Sequence, residues 1–228
     1  MKRVALLLAA LLAAEVAGAG ENDFLATEGR LSDEDFHRLV ACRAPPGGPC
    51  ALDPIRWPPE VARDLVVGFA PVSSAYPSEM IGRMTAAVDH AIAEINAAGA
   101  ALRLRRAARG DSPDIVVHLV AIHEGEAIAG TGLSGVDGQT IGAALVTVWW
   151  DDAADLSRAA IVLAEDLPGS DVVPVVLEEL TQAMGLMTDI RNPYYDDRSV
   201  FAEDSNSVTR LGSQDREALR RHYPPETP

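Results

Sequence analysis

The run Asp114-Ile115-Val116-Val117-His118-Leu119-Val120-Ala121 is apolar on both of its alternating faces, the pattern of a strand in the middle of a sheet. Such a strand needs neighbours on both edges and cover on both faces. The neighbours are legible. Asp64 to Ala70, with Leu65, Val66, Val67 and Phe69, reads as a first strand. Ala101 to Ala107 alternates Leu102 and Leu104 with Arg103 and Arg105, as a half-exposed strand does. Ala143 to Trp150 is a third apolar run, and Ile161, Val162 and Leu163 mark a short strand within Arg158 to Glu165. Cover comes from the longest helix, which opens at Pro77-Ser78, carries Ile81, Met84, Val88, Ala91, Ile92 and Ile95 at helical spacing, and stops at Gly99.

The second constraining stretch is Val175 to Asp189. It reads as a helix broken at Gly185, with Glu178 and Gln182 one turn apart and Glu179 beside them. Ser170 or Asp171 is its expected cap, and Pro174 is tolerated in its first turn. Val172, Val176, Ala183 and Met184 form its expected buried side, with Glu178, Glu179 and Gln182 apart on another. Adjacent glutamates in a helix are most often a solvated face. What raises the functional reading is the glycine that turns the chain and brings Asp189 back toward them.

The ends and cysteines bound the setting. Met1-Lys2-Arg3, the apolar run Val4 to Ala14 and the small residues Ala17-Gly18-Ala19 read as a secretory signal peptide over residues 1–19. Its apolar run is shorter than the roughly 20 residues of a membrane span. A soluble periplasmic or secreted protein is expected. Cys42 and Cys50 flank the turn-forming Arg43 to Pro49, and in an exported chain they read as a structural disulfide. A formal net charge of -15 argues against nucleic acid as a partner.

Between these landmarks, Glu21 to Gly29 shows no period and is expected to be loose. Ser32 reads as the N-cap of a short helix carrying Phe36, Leu39 and Val40. Prolines around Trp57 make an extended connection. The glycine-rich stretch Gly125 to Gly142 reads as a long mobile loop, and its glycines match neither phosphate-binding pattern. Trp149 and Trp150 must point to opposite faces, one into the core and one toward a groove. His90, His118 and His123 receive no role. The chain divides into the leader, an N-terminal extension over 20–63 with its disulfide loop, and one domain over 64–228.

Glu178-Glu179-Leu180-Thr181-Gln182-Ala183-Met184-Gly185-Leu186-Met187-Thr188-Asp189 resembles the extended zinc motif of the metzincin peptidases, above all the matrix-metalloprotease type, His-Glu-x-x-His-x-x-Gly-x-x-His. Ser199-Val200-Phe201 resembles the turn that carries a methionine beneath the metal there. Leu211 to Tyr223, with Ser213 as N-cap, resembles the closing helix, and Ser112 to Val117 the central strand. A closer resemblance is to a family of exported bacterial proteins catalogued only as a domain of unknown function, with a Glu-Glu-x-x-Gln helix, Gly-Leu, a Ser-x-Phe turn and an Asp-containing final helix.

The resemblance implies an α+β, zincin-like fold: a twisted mixed sheet with a long helix and a broken active-site-type helix. It places Glu179 at the general base, Glu178 and Gln182 at the first two ligands, Thr188 at the third and Phe201 at the methionine. With Glu, Gln and Thr where histidines stand, no imidazole remains, and zinc favours nitrogen and sulfur. No resident metal or other cofactor is expected. Oxygen donors would suit calcium or magnesium, with Asp189, Asp196 and Asp197 as further ligands. The expected function is a binding or interaction domain of the cell envelope, without zinc-protease activity, whose partner is a protein, peptide or glycan. The alternative is a hydrolase of cell-wall glycan or peptide that uses carboxylates alone, or a hard metal, with Glu179 as its base.

Overall fold

The computed structural model describes residues 24–74 and 76–225 and the backbone of Glu15–Gly18. The remainder of the expected leader lies outside the described residues. In chain order the elements are β1 (Glu15–Gly18), β2 (Phe24–Ala26), α1 (Asp33–Cys42), α2 (Pro59–Ala62), β3 (Leu65–Phe69), α3 (Ser78–Asn96), β4 (Leu104–Arg106) and β5 (Ile115–Leu119). They continue with β6 (Ala144–Trp150), β7 (Leu156–Leu163), α4 (Val172–Gln182), β8 (Asp189–Arg191) and α5 (Ser213–His222). The fold is mixed α+β.

Six strands form one sheet in the order β1-β6-β7-β5-β3-β4. Pairs β3 with β4, β3 with β5, and β5 with β7 are parallel, whereas β6 runs antiparallel to both β7 and β1. The doubly apolar run is β5, an interior strand, because a strand buried on both faces loses nothing by being paired on both edges. Helices α3 and α4 pack together, and α4 lies against β6.

The period of two sorts β6 and β7 between two cores. Val146, Val148, Ala159, Ile161 and Leu163 join the main core with Met84, Val88 and Leu180. Leu145, Trp149, Ala160, Val162 and Ala164 pack instead against Ile128, Val136 and Ile141 of the glycine-rich stretch. That stretch is therefore not the loose loop that its glycines imply. It folds back on itself through a bridge between Ala127 and Thr140, with Ile128 N–H donating to the Gln139 carbonyl at 2.8 Å. Its buried aliphatic residues offset the backbone freedom of the glycines. Trp149 is buried, and Trp150 is half-buried at the rim of a separate cavity.

The ends of the described chain meet. Ser32 caps α1 by accepting from Asp35 N–H at 3.0 Å, and Cys42 and Cys50 form the disulfide with a Cα separation of 5.2 Å. Helix α1 packs on α5, and Phe36 lies 5.3 Å from Tyr195 and 6.0 Å from Phe201, centroid to centroid. Within the stretch that lacks periodicity, Phe24–Ala26 pairs in parallel with β8, since backbone pairing needs no side-chain period. At α5 the cap position is held by Gly212 rather than Ser213. The Asp215 carboxylate reaches back to accept the Gly212 N–H at 2.8 Å, which leaves no work for a serine cap.

The C-terminus of α4 is buried, so its unpaired carbonyls need partners. Trp57 Nε1–H donates to the Ala183 carbonyl at 2.9 Å, and the Tyr223 hydroxyl donates to that of Met184 at 2.7 Å. The Tyr223 oxygen also accepts the Trp57 N–H at 3.1 Å. Gly185 follows with φ of +90°, and a Cβ there would lie 2.1 Å from the Ile55 carbonyl oxygen. Tyr223→Phe strips the Met184 carbonyl and the Trp57 N–H of their shared partner. Urea denaturation should show a loss of about 1–3 kcal/mol with an unchanged denaturant slope.

Candidate functional site

Helix α4 is buried almost all round, between α3 and β6. The expected polar face is thus not solvated. Glu179 and Gln182 are buried, and Glu178 keeps part of its surface open. The turn at Gly185 returns the chain to β8, where Asp189 accepts a hydrogen bond from Gln182 Nε2 at 2.9 Å. The backbone of Val146 on β6 hydrogen-bonds to the Glu179 carboxyl, while Glu179 Oε2 is buried without a hydrogen-bond partner.

These groups border one cavity of about 1000 Å³. Glu178, Glu179, Gln182 and Asp189 line it together with Glu203, Asn206, Glu124 and the start of β6, from Ala143 to Leu145. The spacing on α4 anticipates the first four. It misses Glu203, which arrives because Ile190 bridges Ala202 in parallel and the Glu203 N–H donates to the Ile190 carbonyl at 3.2 Å. Glu124 and the β6 backbone have no sequence signal tied to α4. They are brought there by the sheet order.

Thr188 does not join this group. Its N–H donates to the Val40 carbonyl at 3.2 Å, and the residue borders a different cavity, of about 520 Å³, with Trp150, Asp53, Asp151 and Asp152. Phe201 is buried against Phe36 beneath the Ser199 turn. That turn is held by Asp215, which is buried and accepts from Ser199 Oγ at 2.6 Å, Val200 N–H at 3.1 Å and Gly212 N–H. The Ser-x-Phe turn and the final-helix aspartate are thus two halves of one hydrogen-bonded unit.

The electrostatics follow from burial. Burial, then Asp189, Glu179 and Glu203, hold the Glu178 carboxyl well above the usual carboxylate range. Burial and then Asp189 push Glu179 up to about 8, against the hydrogen bond from Val146. For Asp215, burial outweighs its three donors and pushes it up to about 6. Burial lowers the imidazoles of His37 and His222, to about 4 and about 3.

The donor set of the cavity does not fit zinc. Its polar side chains are carboxylates, amides and the Thr140 hydroxyl, and none of the five histidines lines it. His37 and His222 face each other at 5.7 Å between α1 and α5, His90 meets the Thr209 carbonyl, His118 is within β5, and His123 meets Glu165. Among the described residues no group of three or more His, Cys, Asp or Glu is arranged to hold a metal ion, and no helix is long and apolar enough to cross a membrane. As a chemical device, the cavity is a concave acidic site that can bind a donor or move a proton at Glu179.

The chain belongs to a family described as a protein of unknown function (DUF2927), whose sequence profile matches residues 70–227. No curated protein matches it. The family match covers every element from α3 to α5, and hence α4, β8, the Ser199 turn and the cavity.

Raised carboxyls make stability fall as pH rises. The unfolded chain releases these protons near the ordinary carboxylate range, whereas the folded chain holds that of Glu179 to about 8. Above pH 6.5 Asp215 has largely titrated and the unfolded-state histidines are losing their protons, so Glu179 carries the fall up to about pH 8, with Glu178 acting in the same sense. Glu179 should cost up to about 1.4 kcal/mol per pH unit across that window. Below pH 6.5 His37 and His222 act in the opposite sense, because their lowered folded pKa makes stability fall as pH falls. Denaturation midpoints should fall from pH 6.5 to 8 and level off above about 8.5, and Glu179→Gln should flatten that fall.

Proposed function

We propose that this chain is an exported binding domain on a zincin-like framework, which takes an extended peptide segment of an envelope partner along the outer edge of β6 without zinc-dependent cleavage. One observation carries this reading. Glu15–Gly18 lies antiparallel on β6, with Glu15 opposite Trp150 and Gly18 opposite Thr147. The edge of β6 therefore accepts an extended strand through main-chain hydrogen bonds.

Cleavage of the leader after Ala19 would remove β1 and leave the backbone groups of β6 unpaired on that side. An exposed edge of this kind is a template for strand addition. A peptide taking the same direction and continuing past Thr147 would reach Ala144 and the mouth of the acidic cavity. The resemblance of α4, the Ser199 turn and α5 to the metzincin framework supports the zincin-like reading, and the oxygen-only donors support a role other than zinc proteolysis.

A carboxylate hydrolase is the second reading. The proton held on Glu179 to about 8, with Asp189 nearby, is what favours it. Against glycan as substrate, no aromatic side chain among the described residues lines the cavity for a sugar to stack on.

Hydrogen exchange on the chain from residue 20 onward tests the binding reading. Adding a peptide of the sequence of residues 13–19 should slow amide exchange in Ala144 to Trp150, with weak affinity in the micromolar to millimolar range. Unchanged exchange in β6 would refute the edge, and chelator-sensitive peptide cleavage would refute the absence of protease activity.

A further inference from the structure

We infer that the cavity at the end of this edge recognises a cation, the guanidinium or ammonium of an arginine or lysine side chain carried by the bound peptide. The inference rests on the peptide-binding reading and names what that peptide must present.

Two observations carry it. The first is charge: among the described residues five carboxylates, Glu124, Glu178, Glu179, Asp189 and Glu203, line the cavity, and no arginine, lysine or histidine does. Arg191 stands behind the wall, 3.1 Å from Glu203 and 3.2 Å from Asp204. The second is a vacant acceptor. Glu179 is only 7% exposed, it borders the cavity, and its Oε2 has no hydrogen-bond partner. A buried carboxyl oxygen without a donor is costly to keep, and a donor arriving from a ligand removes that cost.

The chemistry selects the donor. A long aliphatic stem ending in a cation suits a cavity of about 1000 Å³ lined both by apolar groups, Ala143 to Leu145 and Val175, and by carboxylates. A guanidinium presents several N–H groups to carboxylates at once, and an ammonium presents three. A neutral side chain leaves Glu179 Oε2 unpaired, and an acidic one adds repulsion. The groups that face the incoming charge are Glu178 and Glu179 from α4, Asp189 from β8, Glu203 with its Arg191 partner, and Glu124 just before the glycine-rich stretch. Strand β6 contributes none. A cation among these groups favours their ionised forms, so binding near neutral pH must release protons from Glu178 and Glu179.

Calorimetry on the chain from residue 20 onward tests this with two kinds of probe. One is Nα-acetyl-arginine amide, which cannot add a strand. The other is a set of seven-residue peptides, identical except for arginine, lysine, norleucine or glutamate at one position. The amide should bind in the millimolar range. The arginine and lysine peptides should bind about tenfold tighter than the norleucine peptide, with the glutamate peptide weakest. Titrations at pH 7.5 in two buffers of different ionisation enthalpy should show proton release that Glu179→Gln reduces, in a variant whose folding is checked by circular dichroism. Equal binding of the norleucine and arginine peptides overturns the inference, as does an amide that fails to bind. So does displacement of the amide by 1 mM calcium with its own saturable heat, which would make the pocket a metal site. If the amide binds and no peptide does, the cation pocket stands and the strand-edge reading falls.

Discussion

The buried C-terminus of α4 is the constraint on which the site depends. A helix end without water must find donors for its carbonyls, and here they come from two segments far apart in sequence: Trp57 just before α2 and Tyr223 after the last helix. With Ala183 and Met184 satisfied, the chain turns at Gly185, where the Ile55 carbonyl leaves no room for a Cβ. Only because of that turn does Asp189 come back to Gln182. The segment around Trp57 is thus part of the scaffold of the acidic site, although it contributes no lining side chain to it.

A second buried node, Asp215, fixes the opposite wall. Its three donors tie the Ser199 turn to the start of α5. The segment after that turn then bridges β8 and delivers Glu203. One node therefore sets where α4 ends, and the other sets what faces it. Both are hydrogen-bonded units that cross long sequence distances, as expected where irregular backbone is buried.

The acidic cavity is an unfavourable arrangement maintained by this scaffold. Desolvated like charges raise the Glu178 and Glu179 pKa values, and the fold holds them together at a cost in stability. Ionisable groups shifted by burial and by one another in a concave site mark it as a candidate functional site.

Much of the framework was determined locally. The doubly apolar run of β5, the helical spacing of α3, the glycine after α4 and the serine cap of α1 each obey short-range rules, and the structure follows them. So did the group of Glu178, Glu179, Gln182 and Asp189, since a helix turn and a glycine turn set their separation. Tertiary structure alone decided the rest. Thr188 and Asp189 are adjacent in sequence, yet they border different cavities, because the backbone there pairs with Val40 on one side and β2 on the other. The glycine-rich stretch became ordered through contacts with Leu145 and Trp149 that no local pattern encodes. Glu203 joined the site through a strand bridge. Sequence carries periods and turns, whereas the meeting of carboxylates from four separate segments is a property of the sheet order, and it is that meeting which makes α4 a candidate site.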